Sequence, residues 1–280
     1  MDVQQKTPIK LIVTDVDGTF LPKTRILTPR THDALKLLDE QGIAVVLASS
    51  RPPRGMEFVL EQAGFLQRDL PVVSMNGALI TTTQGMTLFS SLLDAEIIEE
   101  MYNLTSDLAV KGGLNFMLLD AEEWWSSGDD EFVRREETSL RFAPVIATPE
   151  MLRERVKSPA NKVTLLGDVD AVQTAKSRIL ERFGETLTVA SPFNPRFLDI
   201  TAKNVHKGTA LERLSVYMNV PTAQICALGD GENDVDMFRV AGTSVVMGHA
   251  HDTVKVHATH LTDSHTDDGW ANAIFRLFGN

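Results

Sequence analysis

One stretch limits the fold of this chain more than any other. Leu11-Ile12-Val13-Thr14 is apolar and β-branched, and it breaks at once into Asp15-Val16-Asp17-Gly18-Thr19. The run reads as a strand and the glycine as its end, so two carboxylates one residue apart stand where the strand opens into a loop. An unpaired carboxylate is costly to desolvate, and Asp15 and Asp17 must therefore be answered by a cation, hydrogen-bond donors or water. An Asp-rich turn after a strand has the same local pattern; what separates the two readings lies elsewhere in the chain.

A second break of this kind follows far downstream. Ile225-Cys226-Ala227-Leu228-Gly229 is apolar, and Asp230-Gly231-Glu232-Asn233-Asp234 then offers oxygen ligands. In a parallel sheet the carboxyl ends of all strands share one edge, and ligands bind there where the strand order reverses. Asp15, Asp17, Asp230 and Asp234 can thus converge on one point. Hard oxygen donors without a nearby thiolate suit Mg²⁺, whereas taken alone 230–234 is equally a polar loop with an Asp helix cap.

Two intervening segments have the character of anion contacts. The strand Ile43 to Ala48 ends in Ser49-Ser50-Arg51-Pro52, which supplies hydroxyls, backbone N–H groups and a guanidinium where a helix starts. Lys207 opens the amphipathic segment Lys207-Gly208-Thr209-Ala210-Leu211; by itself it reads equally as a solvated surface lysine.

The order of elements predicts an α/β fold in two parts. From Ile9 to about Ala78 the pattern is strand, helix, strand, helix, strand, a βαβαβ unit with parallel strands. Leu79 to Phe89 reads as a β-hairpin turned at Gln84-Gly85 that breaks the parallel pattern and opens a second domain. Helix (Asp94 to Val110), strand (Leu114 to Leu119), a polar helix near Asp129, strand (Lys162 to Leu166), helix (Asp168 to Phe183) and a closing strand pair complete it. After Lys207 helices and parallel strands resume, ending in a helix from Gly269 to Phe278. The expected architecture is a discontinuous Rossmann-like parallel-sheet core, 1–82 and 194–280, with an inserted α+β cap, 83–193.

Read together in this order, the four segments resemble the haloacid dehalogenase superfamily, specifically its Cof-type phosphatases with a large C2-type cap between the second and third motifs. Asp15-Val16-Asp17-Gly18-Thr19 matches the first motif, Ser49 the second, Lys207-Gly208-Thr209-Ala210-Leu211 the third, and Gly229-Asp230 through Asn233-Asp234 the fourth. Ser74-Met75-Asn76-Gly77-Ala78, Val246-Met247-Gly248 and Asp267-Asp268-Gly269 resemble that subfamily's hinge, substrate-edge and C-terminal segments. Two departures stand out: Ser49-Ser50-Arg51 where the family has Thr-Gly-Arg, and His249 where it has Asn. Ser49 keeps the hydroxyl, while Ser50 restricts a backbone that glycine would free. The resemblance implies hydrolysis of phosphomonoesters of small metabolites, sugar phosphates foremost. Asp15 is then the nucleophile that forms an aspartyl phosphate, and Asp17 the general acid and base. Ser49, Ser50, Arg51 and Lys207 bind phosphate, and Mg²⁺ is held by Asp15, Asp17 through its backbone oxygen, Asp230 and Asp234. A phosphosugar mutase or a non-catalytic ligand-binding protein on the same fold are the alternatives.

Composition narrows the rest. At 280 residues and 43% hydrophobic content the chain can bury a large core in two domains. A formal net charge of -11 argues against a nucleic-acid partner, whose phosphates need clustered Lys and Arg. A single cysteine, Cys226 in an apolar run, points to a reducing cytoplasm and to an inert buried thiol. No apolar run approaches the ~20 residues that span a bilayer, and the start lacks a signal pattern, so a cytoplasmic protein, monomeric or a weak homo-oligomer, is expected. For substrate or supporting contacts the candidates are Asn76, Gly77, Asn233, Trp125 and Lys162. Adjacent Trp124 and Trp125 cannot both face one way on a strand; one could stack on a sugar ring, or one be buried and the other half-covered. Lys162 and Arg196 read as rim contacts to an anion or as ordinary surface charges. His249 could touch substrate or sit in a loop, and His251, His257, His260 and His265 read as solvated or capping residues without the spacing of a zinc site.

Overall fold

The structure, a computed structural model, describes residues 8–110, 113–191 and 194–279. Two sheets organise it. The first has eight strands: β1 (Leu11–Thr14), β2 (Ala44–Ala48), β3 (Pro71–Ser74), β4 (Leu79–Thr82), β5 (Thr87–Ser90), β12 (Ile225–Gly229), β13 (Thr243–Val246) and β14 (His260–Leu261), in the order β14-β13-β12-β1-β2-β3-β4-β5. The second has six: β6 (Leu114–Leu119), β7 (Trp124–Ser126), β8 (Val145–Ile146), β9 (Lys162–Gly167), β10 (Leu187–Ala190) and β11 (Phe197–Ala202), in the order β10-β11-β9-β6-β7-β8.

The first sheet is parallel from β14 to β3. All four residues of β1 are buried because helices cover both of its faces. Ile12 belongs to the apolar cluster shared with helices Pro29–Glu40 and Gly269–Phe278, while Leu11 and Val13 pack with Lys207–Tyr217 and Val235–Val240. Strand β1 lies between β12 and β2, where the chain order reverses, so the β1 and β12 carboxyl ends flank the switch point of the sheet. Cys226 is fully buried here, and burial pushes its thiol up to about 12.

The hairpin does not open the second domain. Strand β4 pairs antiparallel with β3 and β5 with β4, which extends the first sheet; without them the polar backbone edge of β3 would be unpaired. Conversely β11 pairs antiparallel with both β9 and β10; it is the second strand of the expected closing pair and belongs to the cap sheet, so the core resumes after it and not at 194. One face of that sheet packs under helices Ala95–Val110 and Val169–Phe183. Its other face brings Met117, Leu119, Trp124 and Leu166 against Met75, Ala78, Leu79 and Val205 of the core, so an apolar joint ties cap to core. Among the described residues no helix is long and apolar enough to cross a membrane.

Candidate active site

Asp15 follows β1 directly, and its N–H donates to the Leu228 carbonyl of β12, 2.8 Å away. Ladder pairing thus carries the first acidic loop to the second. Asp15, Asp230 and Asp234 each present a carboxylate oxygen, all within 4.8 Å of one another. Gly18 has φ +86°, and a side chain there would put Cβ 2.6 Å from Asp230 Oδ2; glycine is needed both for the turn and for this close approach.

Lys207 begins the helix Lys207–Tyr217 and is completely buried. Its ammonium donates to Asp15 Oδ1 at 2.5 Å and to Asp234 Oδ1 at 2.7 Å, which excludes the surface-lysine reading. Burial alone would lower its pKa, but Asp15 and Asp234 outweigh that and hold it above the ordinary value. Asp15 lies well above the usual carboxylate range: burial raises it, Lys207 opposes, and Asp234 and Asp230 raise it further. Asp234 is also raised, by burial and by Asp230 against Lys207. Its Oδ2 accepts from the N–H groups of Asp230 and Gly231 at 3.0 and 2.9 Å. Three carboxylates face one ammonium, and this surplus of hard, negatively charged oxygen fits a divalent cation.

Asp17 stands apart from that cluster. Its two oxygens accept from Arg51 Nε and Nη2 at 2.6 and 2.7 Å. Arg51 is thus engaged by the acid next to the nucleophile position, and its Nη1 also donates to the Ser139 carbonyl of the cap at 2.7 Å. Arg25 donates to the same carbonyl at 2.8 Å. Ser49 is buried, with its Oγ accepting from the Arg51 N–H, and the Ser50 carbonyl accepts from Lys162 Nζ at 2.9 Å.

The segment after β3 is held in unusual backbone. Met75, Asn76 and Gly77 have φ of 51°, 56° and 98°, a left-handed stretch that costs roughly 1–2 kcal/mol for each non-glycine residue. The N–H groups of Met75 and Asn76 donate to Arg51 and Ser49 carbonyls, which over-determines the bend. A Cβ on Gly77 would meet the His206 carbonyl at 2.7 Å. Asn76 donates to Asp199 Oδ2 at 2.9 Å and accepts from Asn233 Nδ2 at 3.1 Å.

Of the cap candidates, Lys162 comes to the site and Trp125 does not. Trp125 packs with the helix-covered cluster on the far face, its indole N–H on Glu123; Trp124 is the buried partner, donating to the Phe142 carbonyl. The half-covered alternative for the pair is therefore the one observed. Lys162 is buried and ion-pairs with Asp199 at 3.0 Å, so it is not a surface charge, whereas Arg196 is an exposed partner of Asp168. His249 Nε2 lies 3.1 Å from Asp230 Oδ2, and its ring packs edge-on to His265 at 4.2 Å. Asp199, Glu136 and Ser139 were not anticipated. For Asp199 a signal existed: Asp199 and Thr201 alternate with apolar Leu198 and Ile200, which places two polar residues on one face of β11. Glu136 and Ser139 lie on a polar helix and carried none.

These positions, two acidic loops at a switch point and a buried lysine between them, fall within residues 12–274, which match a family model for haloacid dehalogenase-like hydrolases. The chain belongs to that family. It is a hydrolase acting on phosphate esters. A Bacillus subtilis relative, the 5-amino-6-(5-phospho-D-ribitylamino)uracil phosphatase YcsE, is 26% identical over 98% of both chains. The crystal structure of a haloacid dehalogenase-like hydrolase from Bacteroides thetaiotaomicron superposes with TM-score 0.85 at 27% identity, covering 96% of this chain and 100% of that one. The HAD subclass IIB sugar phosphatase BT4131 shares the fold, with TM-score 0.82 at 21% identity over 96% of this chain and 99% of its own.

Proposed function

We propose that this hydrolase is a Mg²⁺-dependent phosphomonoesterase of small metabolites, sugar and polyol phosphates foremost, acting in the cytoplasm as a monomer or weak homo-oligomer. The observation that carries it is the fully buried Lys207 shared by Asp15 and Asp234, with Asp230 in the same cluster. Such a cluster binds a dianion only with a metal's help, and the relative named for a ribityl phosphate supports a polyol leaving group.

Asp15 attacks phosphorus, the P–O ester bond breaks, and the leaving oxygen takes a proton from Asp17. Water then attacks the aspartyl phosphate and returns a proton to Asp17 as phosphate leaves. Asp17 must exchange Arg51 for the ester oxygen to do this, since Arg51 occupies both of its oxygens. Lys207 fixes the Asp15 rotamer and offsets phosphoryl charge, and Ser49 with the adjoining N–H groups holds non-bridging oxygens. Asp15, Asp230 and the Asp17 carbonyl would hold Mg²⁺, with Asp234 steadied beside them by Lys207 and two N–H groups. The ion, when bound, screens repulsion between substrate and carboxylates. A screen of phosphorylated metabolites for phosphate release, with Mg²⁺ and then with EDTA, tests this reading: turnover that chelation leaves unchanged rejects the metal, and no turnover of any ester rejects the activity.

A further inference from the structure

The helix Glu131–Leu140 lies over the site and is anchored at its end, where Ser139 takes the guanidinium groups of Arg25 and Arg51. Glu136 is three residues earlier, on the same face. Arg134 and Arg135 point outward and pair with Asp129 and Glu131. Glu136 lines a cavity of about 250 Å³ that runs from Asp17 to the cap sheet, with Met117 and Leu119 among its apolar walls. Its charged lining divides unequally. Arg51 is matched by Asp17 and Lys162 by Asp199, whereas the Glu136 carboxylate accepts no hydrogen bond among the described residues. Both lining cations are already paired, so the lining carries one acid more than its bases, with acceptor capacity to spare; Arg25, held on Ser139 outside the lining, is a further cation that acts on Glu136. Glu136 is half-buried, and this partial burial raises its carboxyl above the usual value against the pull of Arg51 and Lys162.

That space is where a leaving group bonded to the phosphate must sit, because Asp17 is the residue that protonates it. We propose that Glu136 is the specificity-determining residue of this cavity: it selects phosphate esters whose leaving group carries a hydroxyl or ammonium donor and rejects those with a second anionic group. The inference rests on the phosphomonoesterase reading and deepens it. A hydroxyl or ammonium donates to the free carboxylate, while a carboxylate or second phosphate there meets a like charge across a narrow space.

The test measures kcat/KM for four esters: a hexose phosphate, phosphoethanolamine, phosphoglycolate and p-nitrophenyl phosphate. The enzymes are the parent protein, Glu136→Gln and Glu136→Ala, with Mg²⁺ present and folding checked by circular dichroism. The near-isosteric Gln variant keeps the cavity filled. The parent favours the first two esters over phosphoglycolate, which has a carboxylate and no donor, by at least tenfold. In Glu136→Ala the donor-bearing esters fall at least tenfold and phosphoglycolate rises several-fold, with p-nitrophenyl phosphate within about twofold of the parent. Glu136→Gln retains part of the hexose phosphate activity, loses most of the phosphoethanolamine activity and gains on phosphoglycolate. Equal losses on all four, or unchanged ratios between anionic and donor-bearing esters, overturn the role of Glu136 alone. No phosphate release from any ester by the parent overturns this inference together with the activity beneath it.

Discussion

A buried ammonium is stable only where carboxylates surround it, and Lys207 shows how one residue links folding to chemistry. It compensates one of three acids, so the metal-free site carries strain that titration exposes. Asp15 and Asp234 hold protons in the folded state that the unfolded chain, with carboxyls at the ordinary 3.8, has released. Stability therefore falls as pH rises from that value through the raised folded ones. Thermal melts of metal-free protein should show Tm dropping over that window, with Mg²⁺ flattening the curve. Asp15→Asn removes one carboxylate and retains the shape, so it should raise metal-free stability by about 1 kcal/mol while lowering kcat at least ~10³-fold. A melt that is no higher than the parent's would contradict the charge surplus, and retained turnover would contradict the nucleophile. Lys207→Ala should instead unfold easily, because it strands two buried acids, and any folded fraction should lose kcat/KM on every substrate alike. His249, the departure from the family's Asn, rests its Nε2 against the outer oxygen of Asp230. His249→Ala should weaken Mg²⁺ binding several-fold in calorimetry, with His249→Asn restoring part of it.

At the scale of elements, the polar row of the cap sheet decides how cap and core meet. Asp199 of β11 takes hydrogen bonds from Thr164 and Asn76 and the charge of Lys162, so three elements converge on one carboxylate. Asp199→Ala leaves Lys162 buried without its partner and should cost about 3–5 kcal/mol. The double change Lys162→Met with Asp199→Leu should recover most of that loss in urea melts; a double variant as unstable as the single would show that Asn76 is the partner that matters. The alternation behind this row is legible in Lys162-Val163-Thr164 and Leu198-Asp199-Ile200-Thr201. Likewise the helices Val169–Phe183 and Gly269–Phe278 fall where their periodicity puts them. Which sheet the hairpin joins was not legible. Strands β4 and β5 have ordinary strand composition, and they take their place through the edge that β3 offers across a turn.

For the molecule as a whole, the proposed phosphate chemistry would lie on one sheet edge and the proposed choice of leaving group beneath a second sheet, so the two should separate experimentally. Mg²⁺ at a hundred times its dissociation constant should stabilise the protein by about 2.7 kcal/mol, seen as a higher Tm that EDTA reverses; a melt indifferent to both would rule out a folded-state metal site. The sequence by itself determined which core residues stand at the site: acids that end apolar strands, a lysine opening a helix and glycines at tight turns are local signals, because a strand end and a helix start are fixed by their own residues. Only the tertiary structure decided that Arg51 holds Asp17, that Trp125 faces away from the site, and that Glu136 stands alone beside it. Those relations join residues 34 positions apart for Asp17 and Arg51 and 119 apart for Asp17 and Glu136, and nothing in a side chain's neighbours along the chain specifies which charge folding will bring to it or leave it without.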